Sequence, residues 1–257
     1  MSLNPPLRDW ARRRVWVIGA STGIGLALAR ELLARGARVA VSARRAELLE
    51  AEFGREANAL CLPLDITDPA ALEAALARIV AAWDGLDLGV VMAGTYQPLR
   101  AWELTPETIR GTMETNVYGP MNASALLARR FLAQGSGHLS IVSSVAGYRG
   151  LPKAAVYGPS KAAMINFAET LWLDLADKGV AVSVVNPGFV KTPLTARNDF
   201  KMPFLIEPEE AARAMIAGYE AGEFEIHFPK AFSRQLKLLR HLPYGLYFRA
   251  IKRATGL

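Results

Sequence analysis

The pentad Tyr157-Gly158-Pro159-Ser160-Lys161 sets a phenol and an amine four residues apart. A helix that starts at Tyr157 puts both on one face. Free phenols have a pKa of about 10 and are poor acid–base groups at neutral pH. A neighbouring ammonium favours the phenolate and lowers that pKa, so Tyr157 could take or give a hydroxyl proton. The plain alternative is an exposed aromatic–lysine pair, since this spacing is common. Ser144 stands thirteen residues before Tyr157, just past the apolar run His138–Ser143. A strand end there can offer a hydroxyl to a carbonyl or alcohol oxygen. Asn116, in Asn116-Val117-Tyr118-Gly119, interrupts a helical pattern with a buried amide. It either holds a water between its backbone and Lys161 for proton relay or is a polar residue facing a loop.

These groups need elements that bring them together. Short apolar runs at Val15–Ile18, Arg38–Ser42, Ala59–Pro63, Gly89–Met92, His138–Ser143 and Val180–Val185 read as strands. Helical periodicity covers 24–35, 45–52, 69–83, 106–133, 157–178 and 208–221. Near-continuous apolar strands have both faces covered, as in a parallel sheet. Strands separated by helices make right-handed βαβ units. The fold class is therefore α/β, a Rossmann-type doubly wound parallel sheet with helices on both faces. One domain is expected over 1–257, with a core at about 13–225 and a basic extension at about 230–257.

The first strand runs into Gly19-Ala20-Ser21-Thr22-Gly23-Ile24-Gly25 and then a helix. Gly19 allows the tight turn, Gly23 lets backbone approach a pyrophosphate, and Gly25 lets the helix pack on the strand. The helix N-terminus offers free N–H groups to phosphate. A merely structural turn is the alternative. The second strand ends Ser42-Ala43-Arg44-Arg45, with no acid before Glu47. An acid there would accept from the ribose 2′-hydroxyl of NAD; Arg44 and Arg45, with Ser42 as a small donor, suit the 2′-phosphate of NADP. NADP(H) is expected over NAD(H), unless both arginines only cap the next helix. Asp65 could accept from the adenine amino group, or it is a loop residue competing with Thr67 and Asp68 to cap the helix at Pro69.

Charge and composition exclude other classes. The 30 Lys and Arg against 24 Asp and Glu give a net +6. Residues 1–14 carry +3, 226–257 carry +7, and 15–225 carry −4, so the basic balance belongs to the ends. No basic face for nucleic acid is legible. Cys61 stands alone, which removes a disulfide framework and a cysteine zinc site. His138, His227 and His241 are scattered, so no catalytic metal is expected. No G-x-S-x-G elbow suggests a hydrolase. Arg12–Arg14 followed by uncharged Val15–Ala29 mimics a signal peptide, but Ser21, Thr22 and three glycines suit a strand–turn–helix better. A cytoplasmic protein is expected.

The ordered set Gly19–Gly25, Ala93-Gly94, Asn116, Ser144, Tyr157/Lys161 and Pro187-Gly188 resembles the short-chain dehydrogenases/reductases, across about residues 13–220. The resemblance implies hydride transfer between a nicotinamide and a carbonyl or alcohol. It makes Tyr157 the acid–base, gives Lys161 the nicotinamide ribose and the tuning of the phenol, and lets Ser144 orient substrate. Asn116 completes the relay. Cofactor contacts are implied for Gly19, Ser21, Thr22, Gly23, Ile24, Gly25, Ser42, Arg44, Arg45, Asp65, Ile66, Ala93, Gly94, Asn116, Tyr157, Lys161, Pro187, Gly188, Val190 and Thr192. It also suggests a homodimer or homotetramer through 106–133 and 157–178. Two departures stand out: Ile18 replaces the usual threonine before the first glycine, and Met92 replaces the asparagine before Ala-Gly. A local rearrangement is expected from them rather than lost activity. A non-catalytic NADP(H)-binding or membrane-surface protein is the alternative function, and an isomerase or dehydratase using the same tyrosine stays open.

On the substrate side, 193–207 lacks regular patterning and is either a mobile lid lined by Met202, Phe204, Leu205 and Ile206 or a loop tucking them into the core. Tyr96, Gln97, Tyr148 and Arg149 are expected on the opposite wall. A lipophilic carbonyl or secondary alcohol is the favoured substrate class. Beyond 230, Phe232, Leu236, Leu239 and Leu242 form one helical face among Arg234, Lys237 and Arg240, and a second patch follows in Leu246-Tyr247-Phe248 and Ile251 with Arg249, Lys252 and Arg253. This pair either packs on a subunit, the favoured reading, or makes peripheral contact with an anionic membrane.

Overall fold

The strand runs expected from the sequence form one sheet, and a computed structural model describes it over residues 2–200 and 202–256. The strands are β1 (Arg14–Ile18), β2 (Arg38–Ser42), β3 (Ala59–Cys61), β4 (Leu88–Val91), β5 (Gly137–Val142), β6 (Val180–Pro187) and β7 (Glu225–Phe228). All pair in parallel, in the order β3-β2-β1-β4-β5-β6-β7. Val15 lies opposite both Val39 of β2 and Leu88 of β4. Order reverses at β1, so a crevice opens beyond the carboxyl ends of β1 and β4.

Helices cover both faces, which is why the inner strands are mostly apolar, with His138, Ser140 and Ser183 among the buried polar exceptions. One layer buries Val15, Val17, Val39 and Val41 against α1 (Gly23–Ala34), α2 (Ala46–Phe53) and α7 (Pro208–Ala221). The other buries Trp16, Ile18, Leu139 and Ile141 against α3 (Pro69–Trp83), α5 (Gly119–Gln134) and α6 (Tyr157–Leu175). Each fully buried valine or leucine contributes about 1.5–3 kcal/mol. Asp68 settles the capping competition before Pro69: its side chain accepts from the backbone N–H groups of Ala70 and Ala71.

Two readings change. The helical stretch at 106–133 is unbroken but not α-helical throughout: α4 (Pro106–Met113) and α5 flank a π-helical turn at Glu114–Tyr118, which carries Asn116. Such turns shift backbone carbonyls out of α register and often mark functional sites. The seventh strand, β7, was not read from the sequence. It is only four residues long, lies on the sheet edge, and alternates half-buried and buried residues around polar Glu225 and His227.

The basic extension forms α8 (Lys230–Arg240) and α9 (Tyr244–Thr255). Most of its expected apolar face is turned inward, while Leu246 and Phe248 stay exposed. Phe232 stacks on Phe189 at 5.3 Å, Leu236 and Leu239 are half-buried, and Tyr247 and Ile251 are buried. Packing on the same subunit therefore accounts for Phe232, Leu236, Leu239, Tyr247 and Ile251, but not for Leu246 and Phe248. Among the described residues no helix is long and apolar enough to cross a membrane, and no group of three or more His, Cys, Asp or Glu could hold a metal.

Candidate active site

The glycine turn fits tightly because its glycines have no room for a side chain. Gly19 has φ +111°, and a Cβ there would lie 2.7 Å from the Ala93 nitrogen. Gly23 has φ +60°, with Thr192 Cγ2 2.9 Å from where its Cβ would be. The turn is fastened by Gly19 and Ala20 N–H groups donating to the Ser42 carbonyl at 2.7 and 3.1 Å. Both departures from the family pattern are apolar fillers here. Ile18 is buried, and Met92 sets its sulfur 2.7 Å from the position of a Gly25 Cβ while its N–H still donates to the Ile18 carbonyl.

Above this turn lies a crevice of about 560 Å³. Its walls bring together Gly19, Ser21, Thr22, Gly23, Ile24, Gly25, Arg44, Arg45, Asp65, Ile66, Ala93, Gly94, Pro187, Gly188, Val190 and Thr192, along with Ser144, Tyr157 and Lys161. Exposed Arg45 donates from Nη2 to Ser21 Oγ at 3.2 Å, so it reaches the glycine turn, although its backbone occupies the N-cap of α2. Ser42 also lines the wall, but its hydroxyl is turned inward and accepts from Trp16 Nε1 at 2.9 Å. The indole therefore fixes the position of this hydroxyl, whose own proton stays available to donate. Asp65 accepts from the N–H and hydroxyl of Thr67, at 2.9 and 2.8 Å, which orients its carboxylate at the crevice wall.

Tyr157 begins α6 and Lys161 follows one turn later, with Nζ 5.8 Å from the Tyr157 ring centre. Lys161 Nζ donates to the Val142 carbonyl at 3.1 Å, and the Ser143 hydroxyl donates to the Lys161 carbonyl at 2.7 Å. The amine is thus pinned to the end of β5. Burial without a carboxylate partner lowers its pKa to about 8. The Ser144 hydroxyl sits near the phenol, donates to the Pro187 carbonyl at 3.4 Å and receives the Ala146 N–H at 3.1 Å. Burial pushes the Tyr157 phenol up to about 12, against the pull of Ser144, so the chain's own groups do not lower it as the spacing suggested. In the neutral range the phenol keeps its proton.

Asn116 stands behind the crevice wall rather than in it, contrary to its expected place among the cofactor contacts. Its Oδ1 accepts from the Thr95 N–H at 2.7 Å, and Nδ2 donates to the Thr95 carbonyl and to Ser160 Oγ at 2.9 and 3.2 Å. Fully buried, it holds the segment after Gly94 against α6. Thr115, its neighbour in the π turn, lines the crevice instead. Other residues here escaped the sequence reading. Thr95, Leu194 and Thr195 line the wall, and Ser160 links Asn116 to the Tyr157 carbonyl. Nothing in their types marked them.

Of the residues expected opposite the lid, Tyr96 meets Tyr157 edge-on at 4.8 Å, and its hydroxyl donates to Asn198 Oδ1 at 2.7 Å. Arg197 donates to the Tyr96 carbonyl at 2.8 Å, so the 193–207 segment is latched over the crevice. Phe200, Phe204 and Leu205 are exposed, while Ile206 packs against the core, so this segment shows features of both readings. Tyr148 and Arg149 face away from the pocket. Tyr148 donates to Glu225 at 2.6 Å, and Arg149 donates to three carbonyls at the end of α8.

Comparisons with known proteins agree with this arrangement. The family model for short chain dehydrogenases matches residues 13–202. An uncharacterized oxidoreductase of Myxococcus xanthus is 37% identical over 251 residues, covering 96% of this chain and 99% of its own. The 3-oxoacyl-(acyl-carrier-protein) reductase FabG of Escherichia coli is 35% identical over 182 residues, 70% of this chain and 74% of its own. Among solved structures, a short-chain dehydrogenase/reductase from Mycobacterium marinum superposes with a TM-score of 0.77 at 26% identity, over 85% of this chain and 94% of its own. One from Sphingobium yanoikuyae, solved with NADPH, shares the fold with a TM-score of 0.77 at 24% identity, over 90% and 97%. A Rossmann-type sheet, a glycine turn at its switch point and a tyrosine–lysine pair beside a strand-end serine thus accompany a match over most of the chain, which belongs to the short-chain dehydrogenase family of oxidoreductases.

Proposed function

We propose that the chain is an NADP(H)-dependent oxidoreductase that interconverts a carbonyl and a secondary alcohol on a lipophilic small molecule. The observation that carries this is the convergence of Tyr157, Ser144 and Lys161 on the crevice that Arg44 and Arg45 also line.

The crevice fits a dinucleotide because its floor is backbone that side chains at Gly19 and Gly23 would fill. Pyrophosphate belongs on the N-terminus of α1. Arg44 and Arg45 supply cationic donors for a 2′-phosphate, and no acid stands beside them before Glu47. Asp65 and Ile66 suit the adenine end, and Pro187, Gly188, Val190 and Thr192 the nicotinamide end. A nicotinamide cofactor, when bound, supplies or accepts the hydride and in its oxidised form adds a positive charge.

The chain's own residues handle the proton. Ser144 donates to the substrate oxygen and holds it beside the phenol. Tyr157, protonated in the neutral range, gives its Oη proton to that oxygen during reduction and takes it back during oxidation. Lys161, with a pKa of about 8, can hold or release a proton at neutral pH beside the phenol. Asn116 acts through position, because its grip on Thr95 fixes the wall next to Lys161. The aromatic rings of Phe189, Phe200, Phe204 and Phe232 pack in succession at 5.3–6.1 Å beside the nicotinamide segment and favour an apolar substrate.

Mixing the protein with NADPH or NADH and a panel of apolar and polar ketones, and following nicotinamide absorbance, tests the reading. Turnover with NADPH and apolar ketones is the expected result. Tight NADPH binding without turnover across the panel would overturn it.

A further inference from the structure

We propose that α8 and α9 form a docking face for an anionic phospholipid bilayer, through side chains other than the face packed on the subunit. Residues 226–257 hold seven Lys and Arg and no Asp or Glu. With their inward faces used, these helices still expose Leu238 (73%), Tyr244 (71%), Leu246 (52%) and Phe248 (54%). Arg234, Arg240, Arg249, Lys252 and Arg253 are exposed on the same two helices. Cations interleaved with aromatic and aliphatic side chains match a surface that is negative at its headgroups and apolar just beneath them. A face meeting only an acidic protein would need the charges but not these four apolar groups.

The face is also built to be rigid. The Arg149 guanidinium donates to the carbonyls of Leu239, Arg240 and Leu242 at 3.3, 3.0 and 2.7 Å, closing the end of α8. It also lies over the rings of Tyr244 and Tyr247, at 4.7 and 4.0 Å. The Tyr247 hydroxyl donates to the Gly150 carbonyl at 2.7 Å, and Lys237 pairs with Glu225 at 2.6 Å. A preformed face loses little conformational entropy on docking.

Docking would reach the active site through direct packing. Arg149 and Gly150 belong to the segment that follows Ser144, and Phe232 of α8 stacks on Phe189, one residue beyond Gly188, and on Phe204 of the lid. The inward face of the docked helices thus touches the 193–207 segment, whose Phe200, Phe204 and Leu205 are exposed. The docking itself does not depend on the proposed reaction and can be measured without cofactor or substrate.

The test is co-sedimentation of the full chain with vesicles of equal parts phosphatidylcholine and phosphatidylglycerol, against vesicles of phosphatidylcholine alone. Binding only to the anionic vesicles, weakened by salt, is expected. The combined variant Arg249→Gln, Lys252→Gln, Arg253→Gln should weaken partitioning about a hundredfold, near fivefold for each cation. Leu246→Ser with Phe248→Ser should weaken it about tenfold. Both variants should keep wild-type melting temperatures, since the replaced side chains are exposed. No sedimentation with anionic vesicles, equal sedimentation with neutral ones, or variants that bind like the wild type would overturn the proposal. So would light scattering showing that Leu246→Ser, Phe248→Ser splits an oligomer while vesicles do not bind, because the face would then join copies of the chain.

Discussion

Strand β5 and the two residues beyond it join two buried polar centres built from similar parts, and only one of them opens on a crevice. Near the amino end, Ser140 Oγ pairs with the Tyr219 hydroxyl at 2.7 Å, and His138 Nε2 lies 2.8 Å from Ser183 Oγ. The Ser183 hydroxyl donates to the Glu223 carbonyl at 2.7 Å, so the neutral His138 ring must donate from Nε2. The His138 and Tyr219 rings meet edge-on at 5.4 Å, and all four side chains are buried. Past the carboxyl end, Ser144 stands beside Tyr157 on the wall that Lys161 shares, where the crevice leaves room for another molecule. Both phenols are pushed up by burial. A serine–tyrosine pair is therefore not chemistry in itself. It becomes chemistry where its network has a free side facing a space beside a glycine turn.

Exchanging the two phenols for phenyl rings breaks this comparison most directly. Tyr157→Phe should lower kcat by about 10²–10⁴, the range for a lost proton donor. NADPH binding and the melting temperature should stay near wild type. Residual turnover close to wild type would move the acid–base role elsewhere. The charge boundary of the open centre gives the next effect. Arg44→Asp with Arg45→Asp should raise the KM for NADPH about 10- to 100-fold through lost charge-assisted hydrogen bonds, with kcat for NADH little changed. An unchanged NADPH-to-NADH ratio would reduce both arginines to surface charges.

The closed centre should answer in stability alone. Tyr219→Phe leaves Ser140 Oγ buried without its partner, a loss of about 1–3 kcal/mol. For a chain of this size the melting temperature should fall by several degrees, roughly 2–4 °C per kcal/mol. Specific activity at moderate temperature should hold. A fall in kcat with an unchanged melting temperature would erase the distinction between the two centres.

What could be read in advance follows the same division. The strands, the glycine turn, Tyr157, Lys161 and Ser144 were legible because each rests on local pattern: apolar runs, spacing along a helix, a turn that only glycine tolerates. Asn116 was legible as a residue but not in its place, since its grip on Thr95 depends on a π turn that helical periodicity does not encode. Ser42 is a parallel case. Its type suited a phosphate donor, and the indole of Trp16, twenty-six residues earlier, sets where its hydroxyl stands, a contact no local pattern announces. Tyr148 and Arg149 were expected on the pocket wall, whereas long-range partners on β7 and α8 draw them outward. Strand β7 was lost for want of length and apolar content.

The smallest effect separates the centres by pH. Burial lowers the pKa of His138 from 6.5 to about 4. Between these values the unfolded chain binds the proton that the folded ring refuses, so stability rises with pH across this window and is lost as pH falls. Lys161 obeys the same rule in another window. Its pKa is lowered from 10.5 to about 8, so its contribution to stability rises with pH between those values. His138→Asn should therefore flatten the dependence of melting temperature on pH between 4 and 6.5, by an amount equivalent to on the order of 1–2 kcal/mol at pH 5. It should leave the alkaline limb and the pH profile of kcat untouched. A shifted kcat profile would mean that the two ends of β5 communicate, and that the closed centre tunes the open one.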